Sequence, residues 1–138
     1  MKTVDVVSFM LVKNGKILVE RRKKDNETDP GKVAIPGGHV EPGESREQAC
    51  SREMREELGV EGHGFRFVAK LLHRTEIENH MIYYYLCESW DGMPKSIEAD
   101  RVFWTGAGEP DALDLEADRK AMKRLMKMMD EDKAKAIN

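Results

Sequence analysis

A chain of 138 residues, 40% of them hydrophobic, can bury a core without disulfides or a structural metal, and its 36% of charged residues, nearly balanced in sign, excludes a disordered polyelectrolyte. With 23 Lys and Arg against 26 Asp and Glu, the net charge of −3 offers no global attraction to nucleic acid or to an anionic membrane. A single domain over 1–138 is expected, with neither of those partners, and any phosphate-bearing ligand has to be held by local cations.

The first residues carry no basic region followed by an apolar stretch, and no run approaches membrane-spanning length, so a cytoplasmic location is the default expectation. Residues 4–12 are almost wholly apolar and rich in β-branched side chains. Asn14-Gly15, the strongest short hairpin signal, separates them from Ile17-Leu18-Val19, and two strands of a sheet covered on both faces are predicted. The polar stretch 21–32 reads as a loop, and Val33-Ala34-Ile35 as a short strand broken by Pro36-Gly37-Gly38. Ser45 followed by Gln48 is a capping-box pattern, which predicts a helix from there to Leu58 with Gly59 as its stop.

Further strands are predicted at 66–72, 81–87 and 102–104. From Leu115 onward, Met122, Leu125, Met126 and Met129 recur at helical spacing, with Asp114 as N-cap, and residues 130–138 are expected to fray. Strands interrupted by two separated helices predict an α/β fold, an α/β/α sandwich with a mixed sheet between the helices. Cys50 and Cys87 match no zinc or redox spacing and read as reduced core residues; Trp104 and Tyr83-Tyr84-Tyr85 read as core aromatics. His39, His63, His73 and His80 share no ligand spacing and are expected on the surface or in loops.

The stretch 38–60, GHVEPGESREQACSREMREELGV, carries the chemistry. Glu53, Glu56 and Glu57 stand three and four apart near the end of the predicted helix, on one face, where like charges repel unless a hard cation neutralises them. Oxygen-only ligands suit Mg²⁺ or Mn²⁺. Cys50, Met54 and Leu58 form an adjacent apolar stripe that can fix the helix to a sheet. Three glutamates alone are more simply a solvated helix face with Arg52 and Arg55 as surface partners. The wider pattern decides against that: Gly38, Glu44, Arg52-Glu53-Met54, Glu56-Glu57 and Gly59-Val60 stand at the spacing of the Nudix box, flanked by Ile35-Pro36-Gly37 and Val40-Glu41-Pro42-Gly43, and the chain resembles the Nudix hydrolase family.

That resemblance implies a divalent-cation-dependent cut of a diphosphate bond in a nucleoside diphosphate derivative, a small-molecule nucleotide. It implies that Glu53, Glu56 and Glu57 bind the metal, with the main-chain carbonyl of Gly37 and a distant acid, Glu98 or Asp100, as further ligands. Glu53 is the leading general base, and Arg52 orients its glutamate neighbours through an ion pair with Glu44. Of two arginines at the end of the second strand, Arg22 is a better phosphate contact than Arg21; as solvated strand-end arginines they would do nothing. The chain lacks the proline of ADP-ribose hydrolases and the tyrosine of diadenosine polyphosphate hydrolases after the box, which leaves the MutT-like branch, acting on nucleoside triphosphates, oxidised ones included. ADP-ribose or nucleotide-sugar hydrolysis stays open as an alternative, as does a nucleotide-sensing module without turnover. A homodimer is compatible with the family.

Overall fold

The structure, a computed structural model, describes residues 1–137. Its strands are β1 (Thr3–Lys13), β2 (Lys16–Arg21), β3 (Val33–Ala34), β4 (Gly37–His39), β5 (Glu61–Arg74), β6 (Asn79–Asp91) and β7 (Arg101–Gly106), and its helices α1 (Arg46–Leu58) and α2 (Glu116–Ile137). They form a sheet ordered β3-β2-β1-β6-β5, with β4 added against β1 and β7 against β2. Among the described residues only the central β1·β6 pairing is parallel; the other pairings are antiparallel, so the sheet is mixed as expected.

The hairpin between β1 and β2 turns at Asn14 and Gly15, whose φ values of 53° and 73° are the left-handed geometry that a two-residue hairpin turn requires. Strand periodicity then sorts the core into two layers. Val6 and Met10 of β1, Ile17 and Val19 of β2, and Ile82 and Tyr84 of β6 face α2, against Ala117, Ala121, Met122 and Leu125. The intervening residues Val7, Phe9, Leu11, Leu18, Tyr83, Tyr85 and Cys87 face the other way, toward Ala49, Cys50, Met54 and Leu58 of α1. The runs of β1 and β2 are therefore almost wholly apolar, with Ser8 the one polar residue buried within β1, because both faces are covered. Both cysteines are free and buried, and Tyr84 is fully enclosed.

Several elements exceed their sequence-based limits. β5 and β6 pair from Glu61 with Asp91 to Arg74 with Asn79, past the apolar segments that signal them, with a bulge between Phe67 and Ala69. The tail does not fray at 130: α2 continues to Ile137, and Asp132 is gripped by Arg66 of β5 through two hydrogen bonds of 2.7 and 3.1 Å. Asn138, the last residue of the expected tail, lies outside the described residues. Asp114 has a different use from capping α2, since its carboxylate accepts a 2.7 Å hydrogen bond from the Val33 amide and ties β3 to the entry of that helix. All four histidines are on strands; His39 and His63 are exposed, as a surface placement predicts, whereas His73 is half-buried and His80 is buried because strand pairing draws them over the sheet. Among the described residues no helix is long and apolar enough to cross a membrane.

Candidate active site

α1 begins where the sequence signals it. Ser45 Oγ accepts from the Gln48 amide, Gln48 Oε1 accepts from the Ser45 amide, and Gly59 closes the helix in left-handed geometry with φ 68°. The stripe of Cys50, Met54 and Leu58 seats the helix on the sheet. That seating turns Glu53 and Glu57 inward, into a cavity of about 320 Å³ whose walls include Gly37 and Gly38 of β4, Glu20 of β2, Arg22, Glu98 and Asp118.

A Cβ at position 38 would displace the Glu53 carboxylate from where it lies; at Gly37 it would run into the Val7 carbonyl across the β1·β4 pairing, where only glycine fits. Carboxylate oxygens of Glu53, Glu57 and Glu98 all lie within 4.8 Å of one another. The loop before β7 thus delivers Glu98 to the helix, whereas Asp100, the other expected acid, is not among the cavity-lining residues. Glu56 sits outside this cluster. Its side chain is 48% exposed and its Oε2 accepts from Arg52 Nη1 at 3.1 Å.

Arg52 organises this corner. Its Nε and Nη2 clasp the Glu44 carboxylate at 2.7 and 2.9 Å, Nη1 donates to Glu53 Oε1 at 2.8 Å, and Nη2 also reaches the His39 carbonyl at 2.9 Å. The ion pair expected between Arg52 and Glu44 is present in its bidentate form, which fixes direction as well as charge. Hydrogen bonding from Arg52 holds the Glu44 carboxyl at about 2, well below the usual carboxylate range, and the partners raise the Arg52 guanidinium in turn.

The cluster itself is electrostatically unfavourable. Burial pushes the Glu20 carboxyl up to about 7, and burial with the neighbouring charges of Glu20, Glu53 and Glu98 raises Glu57 well above the ordinary value. Burial also raises Glu53 despite its bond to Arg52. Glu57 Oε2 is buried with no hydrogen-bond partner. A cation among these oxygens would satisfy that atom and relieve the repulsion, so the residues fit a hard divalent ion.

The two arginines at the end of β2 separate clearly. Arg22 lines the cavity, held by Nε to the Thr28 carbonyl and Nη2 to Thr28 Oγ1, both at 3.1 Å, with Glu20 at 3.6 Å. Arg21 points elsewhere, donating to the Gly31 carbonyl on an exposed edge. The sequence reading missed Glu20 and Asp118. Glu20 had one local signal, a charge directly after the apolar run of β2 on the same strand face as Leu18; Asp118 had none, being an acid in a helical turn. In the fold Asp118 is fully enclosed, accepting from the Ile35 amide at 2.9 Å and from Tyr84 OH at 2.6 Å. The tyrosine run and Trp104 are packing residues as expected, with Trp104 stacked on Trp90.

A mixed sheet between two helices, with glutamates from one helix and a distant loop meeting over a glycine strand, defines an α/β protein built around an acidic, cation-compatible cleft. The NUDIX domain family model matches residues 1–127, and the chain belongs to that family, in its MutT-like branch. It is similar to the CTP pyrophosphohydrolase of Escherichia coli K12, 39% identical over 83 residues, which are 60% of this chain and 59% of that protein. It is also similar to the 8-oxo-dGTP diphosphatase of the same strain, 32% identical over 98 residues, 71% of this chain and 75% of that protein. The matched part is thus less than two thirds of the first relative's length. Among solved structures, the Escherichia coli ORF135 protein superposes with a TM-score of 0.79 at 28% identity, covering 94% of this chain and 92% of that one. A MutT NUDIX hydrolase from Burkholderia pseudomallei gives 0.78 at 26% identity, covering 90% and 98%.

Proposed function

We propose that the chain, acting as one Nudix domain over 1–138, hydrolyses a diphosphate bond of a nucleoside triphosphate, oxidised forms included, with Mg²⁺ or Mn²⁺, releasing a nucleoside monophosphate and pyrophosphate. The observation that carries this reading is the convergence of Glu53, Glu57 and Glu98 around the partnerless buried Glu57 Oε2, in a cavity that also holds the guanidinium of Arg22. Relatives named for CTP and for 8-oxo-dGTP support a nucleoside triphosphate as the substrate class.

In this reading Glu53, Glu57 and Glu98 hold the cation. Glu56 is assigned to the same set from its helical register beside Glu53, and the Gly37 carbonyl from its place in the cavity wall. When bound, the cation supplies charge neutralisation at phosphate oxygens and acidifies water. The protein's own part is positioning. Glu53 is the general base, accepting the proton of the water that attacks phosphorus while the bridging P–O bond breaks toward the pyrophosphate side. Arg52, a positioning residue locked on Glu44, keeps Glu53 aimed at that water. Arg22 meets the phosphate chain. ADP-ribose and nucleotide-sugar substrates, and nucleotide sensing without turnover, are the readings this one must defeat.

A panel of nucleoside triphosphates, oxidised nucleotides, ADP-ribose and nucleotide sugars, assayed with Mg²⁺ or Mn²⁺ for the products released, tests it. Pyrophosphate and monophosphate from a triphosphate, abolished by chelator, is the expected result. Turnover undiminished in chelator, or cleavage of simple monoesters alone, would overturn the assignment, and tight binding without any product would favour the sensing module.

A further inference from the structure

Apart from the cluster of Glu53, Glu57 and Glu98, one further set of side chains among the described residues has the composition of a metal site. His39 Nε2 lies 2.7 Å and His80 Nε2 2.8 Å from the same oxygen, Glu78 Oε2, and the ligand-capable atoms of the three residues all fall within 4.8 Å. We propose that His39, Glu78 and His80 form a second metal site, selective for a borderline-soft ion of the Zn²⁺ class, at the rim of the acidic cavity. It does not rest on the nucleotide reading and uses none of the residues assigned there.

The first argument is donor chemistry. Two imidazoles and a carboxylate suit Zn²⁺, whereas the oxygen-only set on α1 suits Mg²⁺ or Mn²⁺, so the two sites differ in softness. A tetrahedral Zn²⁺ with ligands at about 2.0–2.1 Å holds its donor atoms roughly 3.3 Å apart. Both imidazole nitrogens already lie 2.7 and 2.8 Å from Glu78 Oε2, and all three donors lie within 4.8 Å of one another, so small side-chain shifts separate this arrangement from that spacing.

The second argument is rigidity. His39 stands on β4 and His80 on β6, the strands on either side of the first half of β1, through the pairs Val6 with His39 and Val4 with His80. Their rings meet edge to face with centroids 5.4 Å apart. Glu78 is presented by the β5–β6 turn, which Thr75 braces: Thr75 Oγ1 donates to the Glu78 carbonyl at 2.7 Å and accepts from the amides of Ile77 and Glu78. Ligands carried by paired strands and a braced turn lose little entropy on binding.

The third argument is access. His80 is buried, but the His39 side chain is 57% exposed, so an ion can enter from solvent. Three protein ligands leave a coordination position open. Because His39 and His80 both line the cavity that holds Glu53 and Glu57, that position is available to an anionic group entering it.

The test is Zn²⁺ titration of the full chain by calorimetry with Mg²⁺ in large excess, so that the oxygen-only site is filled. One equivalent of Zn²⁺ should bind, and His39→Asn and Glu78→Gln should each weaken it at least about tenfold, whereas Glu57→Gln should leave it in place. Co²⁺ in place of Zn²⁺ should give a visible absorption band in the wild type that His39→Asn diminishes. His39→Asn changes a largely exposed side chain and Glu78→Gln a turn residue, so the conclusion does not hang on one variant folding. No Zn²⁺ uptake by the wild type, or uptake of equal affinity in both variants, would overturn the proposal.

Discussion

Glu57 shows how much a single buried atom can say. Its Oε2 has no hydrogen-bond partner, and its carboxyl is raised by burial and by the charges of Glu20, Glu53 and Glu98. Glu57→Gln removes one like charge and one proposed cation ligand while conserving volume, so two measurements should move in opposite directions. Without divalent ion the variant should melt at or above the wild-type temperature. With Mg²⁺ the wild type should gain stability, by about 2.7 kcal/mol at a hundredfold excess over Kd, and the variant distinctly less. Turnover should fall at least about 100-fold, the scale of losing one preorganised electrostatic group. Equal metal-induced shifts in the two proteins would make Glu57 a bystander. Arg52 and Glu44 were readable as a pair from the box alone, but Glu20 was not: its relevance comes from strand β2 passing under the carboxylates, which its own neighbours do not announce.

Among the elements, α1 was legible almost to the residue, because its start, its stop and its buried stripe are all local. The capping box gives that legibility an energetic handle. Ser45→Ala removes the acceptor for the Gln48 amide and should cost about 1 kcal/mol, a drop of about 3–5 °C in melting temperature for a domain of this size. The cation-induced shift should survive, since Ser45 lies at the opposite end of the helix from Glu57; a loss of that shift would mean that the helix start aims the carboxylates. The long strands were less legible. β5 contains His63-Gly64, with Gly64 at φ 70°, and β6 runs through Glu88 and Ser89, sequences that read as loop until each strand supplies the other's hydrogen bonds. The end of α2 misled for a related reason: residues 130–137 lack an apolar stripe, yet Ala, Lys and Glu favour helix, and Asp132 finds Arg66 on β5.

For the molecule as a whole, Asp118 joins three parts that are remote in sequence: α2, the segment entering β4 through the Ile35 amide, and β6 through Tyr84. Its folded-state pKa is raised from 3.8 to about 6, chiefly by burial, which sets the sign of its pH effect. Between those values the folded state binds the proton more tightly than the unfolded state. The protonated carboxyl is therefore compatible with the fold at low pH, and stability is lost as pH rises through about 4 to 6. Two pKa units correspond to roughly 3 kcal/mol. Relative to Asp118→Asn, the wild type should lose stability over that window and run parallel to the variant outside it. Denaturation curves for both proteins between pH 4 and pH 8 check this; parallel curves throughout would show that Asp118 does not titrate there.

By itself the sequence determined what depends on near neighbours: the hairpin at Asn14-Gly15, the capped helix, the near-continuous apolar runs that bury both faces of the central strands, and a run of glutamates at helical spacing within the Nudix pattern. Local steric and hydrogen-bond preferences act over a few residues, so they can be read in order along the chain. The tertiary structure alone decided which distant groups share a cavity. It placed Glu98 but not Asp100 on the cavity wall, set Arg22 there in line with its sequence preference over Arg21, brought in Glu20 and Asp118, and gathered His39, Glu78 and His80 across the sheet. Those meetings depend on strand order and on which face of each strand a residue occupies, and a one-residue change of register would reverse them.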